Sequence, residues 1–218
     1  MISRIAIISS LALVVFLRTT VSVAQDRPIE LYAKNHQSAV IAQDAGDLSM
    51  AEKWHRKNLA LVESEPGVPA FVKIQARYFL ANTIVMQGRL DDAQAILTEA
   101  DQLVAATPDV APIVRAQLLS SWGGLKNRQG AAKQAVETLT SALGFIKQSN
   151  VPARLLYATT NVELGRAQRK LGQEQDALKS YATALTAFAE ESVTDSNVYV
   201  AEAVSEYTVL REKLGVGE

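Results

Sequence analysis

The chain contains no cysteine. Disulfides, thiolate metal sites, a cysteine nucleophile and a lipid-bearing cysteine behind a leader are all excluded, so packing alone must hold the fold. Aromatic residues make up only 6% of the sequence, while 48% is hydrophobic and much of that is alanine. Such a composition favours helices with close backbone approach over a β-sandwich. Charge of one sign is also lacking: the net charge of −1 over 218 residues gives no pull towards nucleic acid or membranes. Histidine is scarce as well, with only His36 and His55. A zinc site needs three or four converging ligands, and the chain has no HExxH, no GxSxG and no GxxxxGKS/T to supply other chemistry. The paired carboxylates Asp91–Asp92 and Glu190–Glu191 fall at expected helix ends, where capping or solvation accounts for them. We therefore expect no enzyme, no cofactor and no metal.

The first 24 residues differ from the rest. Arg4 precedes an apolar run from Ile5 to Leu17, and Ser22 and Ala24 stand as small residues before Gln25. That order of basic, apolar and small-residue segments reads as a secretory signal. An uncleaved anchor is the rival reading, but thirteen residues rise only ~20 Å against a hydrocarbon core of ~30 Å, and Arg18 ends the run. Cleavage would remove Arg4 and Arg18 and leave 20 basic against 23 acidic side chains, net −3. The expected location is periplasmic or secreted.

Glycines at 46, 88, 130 and 172 are spaced by 42 residues. Five residues after each stands an alanine (Ala51, Ala93, Ala135, Ala177), and seven before stands Ala39, Ala81, Gly123 or Gly165. Twelve after come Asn58, Ala100, Ala142 and Ala184. A glycine that takes the left-handed conformation can end one helix and turn the chain into the next. The small residues then face each other and let the two backbones approach. Leu97, Leu139 and Tyr181 recur nine after the glycine, and Val62, Val104, Ile146 and Phe188 sixteen after it. Spacings of five, nine, twelve and sixteen follow one helical face.

All six prolines lie before or at the start of the first helix of a pair, where a missing N–H costs nothing. The spacing predicts helix pairs over 28–64, 67–105, 109–148 and 151–191, and an unpartnered capping helix over 196–214. The expected fold is all-α: a right-handed superhelical solenoid of four antiparallel helix pairs with a capping helix.

These columns, best seen in "GRLDDAQAILTEA" and "GQEQDALKSYATAL", resemble the tetratricopeptide repeat over residues 28–214. The usual repeat has ~34 residues, and the longer form here is similar to that of kinesin light chains and of bacterial peptide-sensing regulators. The first repeat departs from the pattern at Asn35, His55 and Asn58. The lysine–asparagine–arginine clamp with which some members grip chaperone C-termini is not matched by His36, Val40, Asn82, Gln117 and Ser120.

In such repeats the first helix of each pair lines the concave side. The residues thirteen, ten, six and three before each glycine would form that lining, and they turn polar to basic towards the C-terminal half. Tyr78, Asn82, Gln117, Asn127, Arg166 and Arg169 are the candidate binding residues, since amides and guanidinium groups can hold an extended peptide by its backbone and carboxylates. A plain solvated helix face would carry Arg166, Arg169 and Lys170 just as well, and a buried aromatic would read like Tyr78. The expected function is an exported, non-catalytic scaffold for a protein or peptide. The alternative is a small-ligand receptor or carrier with a pocket enclosed by the superhelix.

Overall fold

The computed structural model describes residues 26–193 and 197–216. The expected signal segment over residues 1–24 lies outside the described residues, as does the start expected at 196 for the capping helix. Every regular element among them is an α-helix: α1 (Asp26–Asp44), α2 (Leu48–Ser64), α3 (Ala70–Met86), α4 (Leu90–Ala106), α5 (Pro112–Arg128), α6 (Ala132–Gln148), α7 (Arg154–Lys170), α8 (Glu174–Glu190) and α9 (Val198–Leu214). The chain divides into two compact units, one ending at Pro108 and one beginning at Asp109. In the first, α1 packs on α2, α2 on α3 and α3 on α4. In the second, α5 packs on α6, α7 on α8 and α8 on α9; α6 meets α7, and α5 also lies against α7.

Each turn inside a pair is built the same way. At the α3–α4 joint Gly88 has φ +80°, its N–H donates to the Val85 carbonyl at 3.0 Å, and the Arg89 N–H donates to the Ile84 carbonyl at 3.2 Å. That pair of bonds satisfies two carbonyls that a helix end leaves open, and the positive φ is what selects glycine. Gly46, Gly130 and Gly172 repeat it, and Gly215 closes α9 with the same two bonds. Only one of the four following helices has a side-chain cap, Asp47 accepting from the Met50 N–H at 2.9 Å.

The small columns are the interfaces. Ala39, Ala81, Ala51, Ala93, Ala135 and Ala177 are all fully buried, and so are Ala100, Ala142 and Ala184. A Cβ on Gly123 would come within 2.4 Å of the Leu139 side chain, and one on Gly165 within 3.0 Å of the Tyr181 ring. The nine-after column is equally deep, with Leu97, Leu139 and Tyr181 joined there by His55. At the sixteen-after column Val62 and Phe188 are buried, whereas Val104 and Ile146 are only half-buried.

Three helices begin three residues later than the spacing predicts, at Ala70, Pro112 and Arg154. Proline is the reason. Ala111, directly before Pro112, is extended (φ −54°, ψ 141°), because the proline ring disfavours the α-region for its predecessor. Pro69 itself is extended at ψ 147° and serves as the cap of α3. No helix among the described residues is long and apolar enough to cross a membrane.

Candidate functional site

The expected lining residues divide by what they touch. The column three before each turn glycine reads Gln43, Val85, Asn127 and Arg169. Gln43 on α1 donates through Nε2 to Thr83 Oγ1 on α3 at 3.0 Å. Asn127 on α5 donates through Nδ2 to the Glu163 backbone carbonyl and to Glu163 Oε2 on α7, both at 2.8 Å. Arg169 on α7 forms an ion pair with Glu206 on α9. Three members of this column thus reach across to the next first-of-pair helix. The column links neighbouring repeats.

Asn127 is fully buried and Tyr78 only 3% exposed, so neither side chain is offered to a partner in this state. Tyr78 packs against Phe79 with ring centroids 4.3 Å apart. The arginines are tied to neighbouring helices instead of forming a plain solvated face. Arg166 donates through Nη1 to Glu163 Oε1 at 2.5 Å and through Nε to Glu202 Oε1 at 2.9 Å, with a second bond from Nη2 to Glu202. Its side chain is 17% exposed and that of Arg169 41%. Burial works against the charge on Arg166, but Glu163 and Glu202 outweigh it and hold the guanidinium more firmly protonated than usual. Lys170 Nζ donates to the Asn127 carbonyl at 2.5 Å, so it closes the exposed C-terminal end of α5. Ser120 and Thr160 share a hydroxyl hydrogen bond of 2.8 Å between α5 and α7.

Two phenols border this charge cluster. Tyr181 and Tyr199 are both pushed up to about 12, first by burial and then by Glu202 and Glu163 respectively. They stay neutral at any physiological pH.

Of the six candidates, Asn82 and Gln117 are half-buried at their helix surfaces, and Arg169 keeps part of its guanidinium at the surface. Asn82 lies in the first unit; Gln117, Asn127, Arg166 and Arg169 lie in the second. Sequence spacing did not reveal Glu163, Glu202 and Glu206 as the arginines' partners. The signal was present in the acidic i, i+4 pair Glu202–Glu206, which falls on the side of α9 turned to α7.

A second constellation lies inside the first unit. His36 on α1, His55 on α2 and Phe79 on α3 are packed ring against ring, with centroids 4.1 Å apart for His36–Phe79, 5.8 Å for His55–Phe79 and 5.7 Å for the two imidazoles. Both histidines are 2% exposed. Asn58 Nδ2 donates to the Tyr32 carbonyl at 3.0 Å. His55 was legible as a core position, since it stands in the column otherwise filled by Leu97, Leu139 and Tyr181.

Among the described residues no group of three or more His, Cys, Asp or Glu side chains is placed to hold a metal ion. Two concavities are open to solvent among the described residues. One lies on the outer face of α2 between Ser49, Glu52, Lys53, Arg56, Lys57 and Ala60, and the other at the end of α9 around Arg211 and Glu212. No protein-family model matches the sequence, and a search of curated proteins finds no match.

Proposed function

We propose that the chain is an exported, non-catalytic scaffold of the tetratricopeptide-repeat type, which binds a protein or peptide partner along its first-of-pair helices. The observation that carries this reading is the side-by-side placement of α5 and α7, tied by Ser120–Thr160 and Asn127–Glu163. Surface side chains of separate repeats thereby fall into one row, and an extended segment laid across it meets both helices. Gln117, Arg128, Arg169 and Lys170 belong to that row in the second unit; in the first, Asn82 is half-buried on α3 at the repeat position that Gly124 and Arg166 hold in the second. The partially exposed cations suit a partner with carboxylates, which would compete with Glu206 for Arg169.

The test is affinity capture of the chain from an envelope extract of its host, with mass spectrometry of both bait and bound protein. The bait should begin at or near Gln25, and a defined partner should be retained. Replacing Arg128 and Lys170 by alanine, with Gln117→Ala, should then weaken the captured complex at least tenfold, or about 1.4 kcal/mol. Lys133→Ala and Lys179→Ala, on the exposed faces of α6 and α8, should leave it unchanged. Equal effects from both sets would place the contact elsewhere on the surface, and intact Met1–Ala24 on a soluble cytoplasmic protein would refute export.

A further inference from the structure

The first unit buries two imidazoles and gives neither a counter-ion. His36 and His55 come from different helices, share Phe79 as a common wall, and are both almost wholly inaccessible. Their neighbours are neutral. The ring contacts of the pair are with each other and with Phe79, and the other buried polar side chains of these helices, among them Tyr32, Asn35, Asn58, Gln75 and Tyr78, are uncharged. Among the charged groups of these elements and of α4, Glu52 pairs with Arg56 and Arg89, Arg77 with Glu63 and Glu99, and Arg89 with Asp92; Asp44, at the end of α1, is pushed up by burial. His36 Nδ1 and the Tyr32 hydroxyl are buried without a hydrogen-bond partner among the described residues. Nothing here would receive a second proton favourably.

We propose that the buried His36–His55 pair makes the first unit acid-responsive: protonation of the imidazoles releases the α1–α2 pair from α3, while the second unit, which contains no histidine, stays folded. Burial lowers His36 to about 4, and burial together with the charge of His36 lowers His55 to about 3. An imidazole in an unfolded segment titrates near 6.5. The open form therefore binds protons that the closed form refuses, and stability present above pH ~6.5 is lost as the pH falls towards those lower values. At pH 5 each imidazole favours the open form by about 30-fold over its balance at neutral pH, or about 1000-fold for the two. The geometry adds to this effect, because two imidazolium rings 5.7 Å apart in a dry site repel each other. An exported protein meets such pH values where a cytoplasmic one does not.

The chain carries a reporter in each unit, Trp54 on α2 and Trp122 on α5. We would follow amide exchange and the fluorescence of both tryptophans in the full chain as isolated from its host, from pH 7.5 to pH 4. Trp54→Phe and Trp122→Phe variants assign the two signals. Amide protection in α1 and α2 should fall at least 30-fold by pH 5, with a parallel change at Trp54, while α7, α8 and Trp122 keep their neutral-pH behaviour. His55→Leu, which restores the residue found at Leu97 and Leu139, should shift the transition acidwards by about one pH unit or more. Should that variant not fold, His36→Gln and direct NMR titration of the two imidazoles decide the matter. Loss of protection in both units at one pH, a transition unmoved by either substitution, or an imidazole titrating near 6.5 with α1–α2 still protected would each overturn the proposal.

Discussion

Gly123 and Gly144 sit in neighbouring helices and answer to different forces. Gly123 stands where α5 meets α6, and a methyl group there would lie 2.4 Å from Leu139 Cγ and Cδ2. Gly144, inside α6, has nothing within 4 Å of the place a Cβ would occupy. Glycine in a helix interior costs ~1 kcal/mol relative to alanine, so both positions lose propensity but only Gly123 gains from it. Gly123→Ala should destabilise the second unit by about 1–3 kcal/mol through overpacking, in spite of its better propensity. Gly144→Ala should stabilise it by up to ~1 kcal/mol. Urea unfolding followed at Trp122 checks both. A neutral result at Gly123 would mean that Leu139 has room to turn aside.

The last helix shows how an element is held by both its faces. α9 buries Val200, Ala203 and Leu210 against the second unit, and it carries the two carboxylates that neutralise Arg166 and Arg169. Leu210→Ala should cost about 2–5 kcal/mol, while Val209→Ala, at a 46% exposed neighbouring site, should cost well under 1 kcal/mol. Arg166→Ala should also destabilise, by roughly 2–4 kcal/mol, since it leaves Glu163 and Glu202 facing each other in a half-buried site. Thermal unfolding of the three variants measures the order. The helices themselves were legible in the amino-acid sequence. A positive φ selects glycine and a close helix contact selects alanine, so each leaves a mark on a single position that recurs every 42 residues. The partners of the lining residues left no such mark. Arg166 and Glu202 are 36 residues apart on helices that meet only through stacking, and charged side chains on a helix read the same whether paired or solvated. The late helix starts had a local cause in the prolines, which the spacing of glycines does not carry.

At the scale of the whole molecule the two units differ in how well their buried polar groups are satisfied. In the second unit Ser121 bonds the Gln117 carbonyl, Thr160 the Leu156 carbonyl, Asn161 the Tyr157 carbonyl and Ser180 the Gln168 amide. Buried without partners among the described residues are Asn127 Oδ1 in the second unit and Tyr32 Oη, His36 Nδ1 and Asn58 Oδ1 in the first. A buried group left unsatisfied costs ~1–3 kcal/mol, which is a large share of the ~5–15 kcal/mol that holds a domain together. Among the described residues the first unit is also the smaller, with four helices against five. Nearest-neighbour stacks permit such unequal parts to unfold separately. At pH 7.5, where both imidazoles are neutral, the Trp54 signal should therefore melt several degrees below the Trp122 signal. His55→Leu, which replaces a buried polar ring by the residue of the neighbouring repeats, should narrow the gap by raising only the lower transition. Coincident melting of both tryptophans in the parent chain would show instead that the two units unfold together.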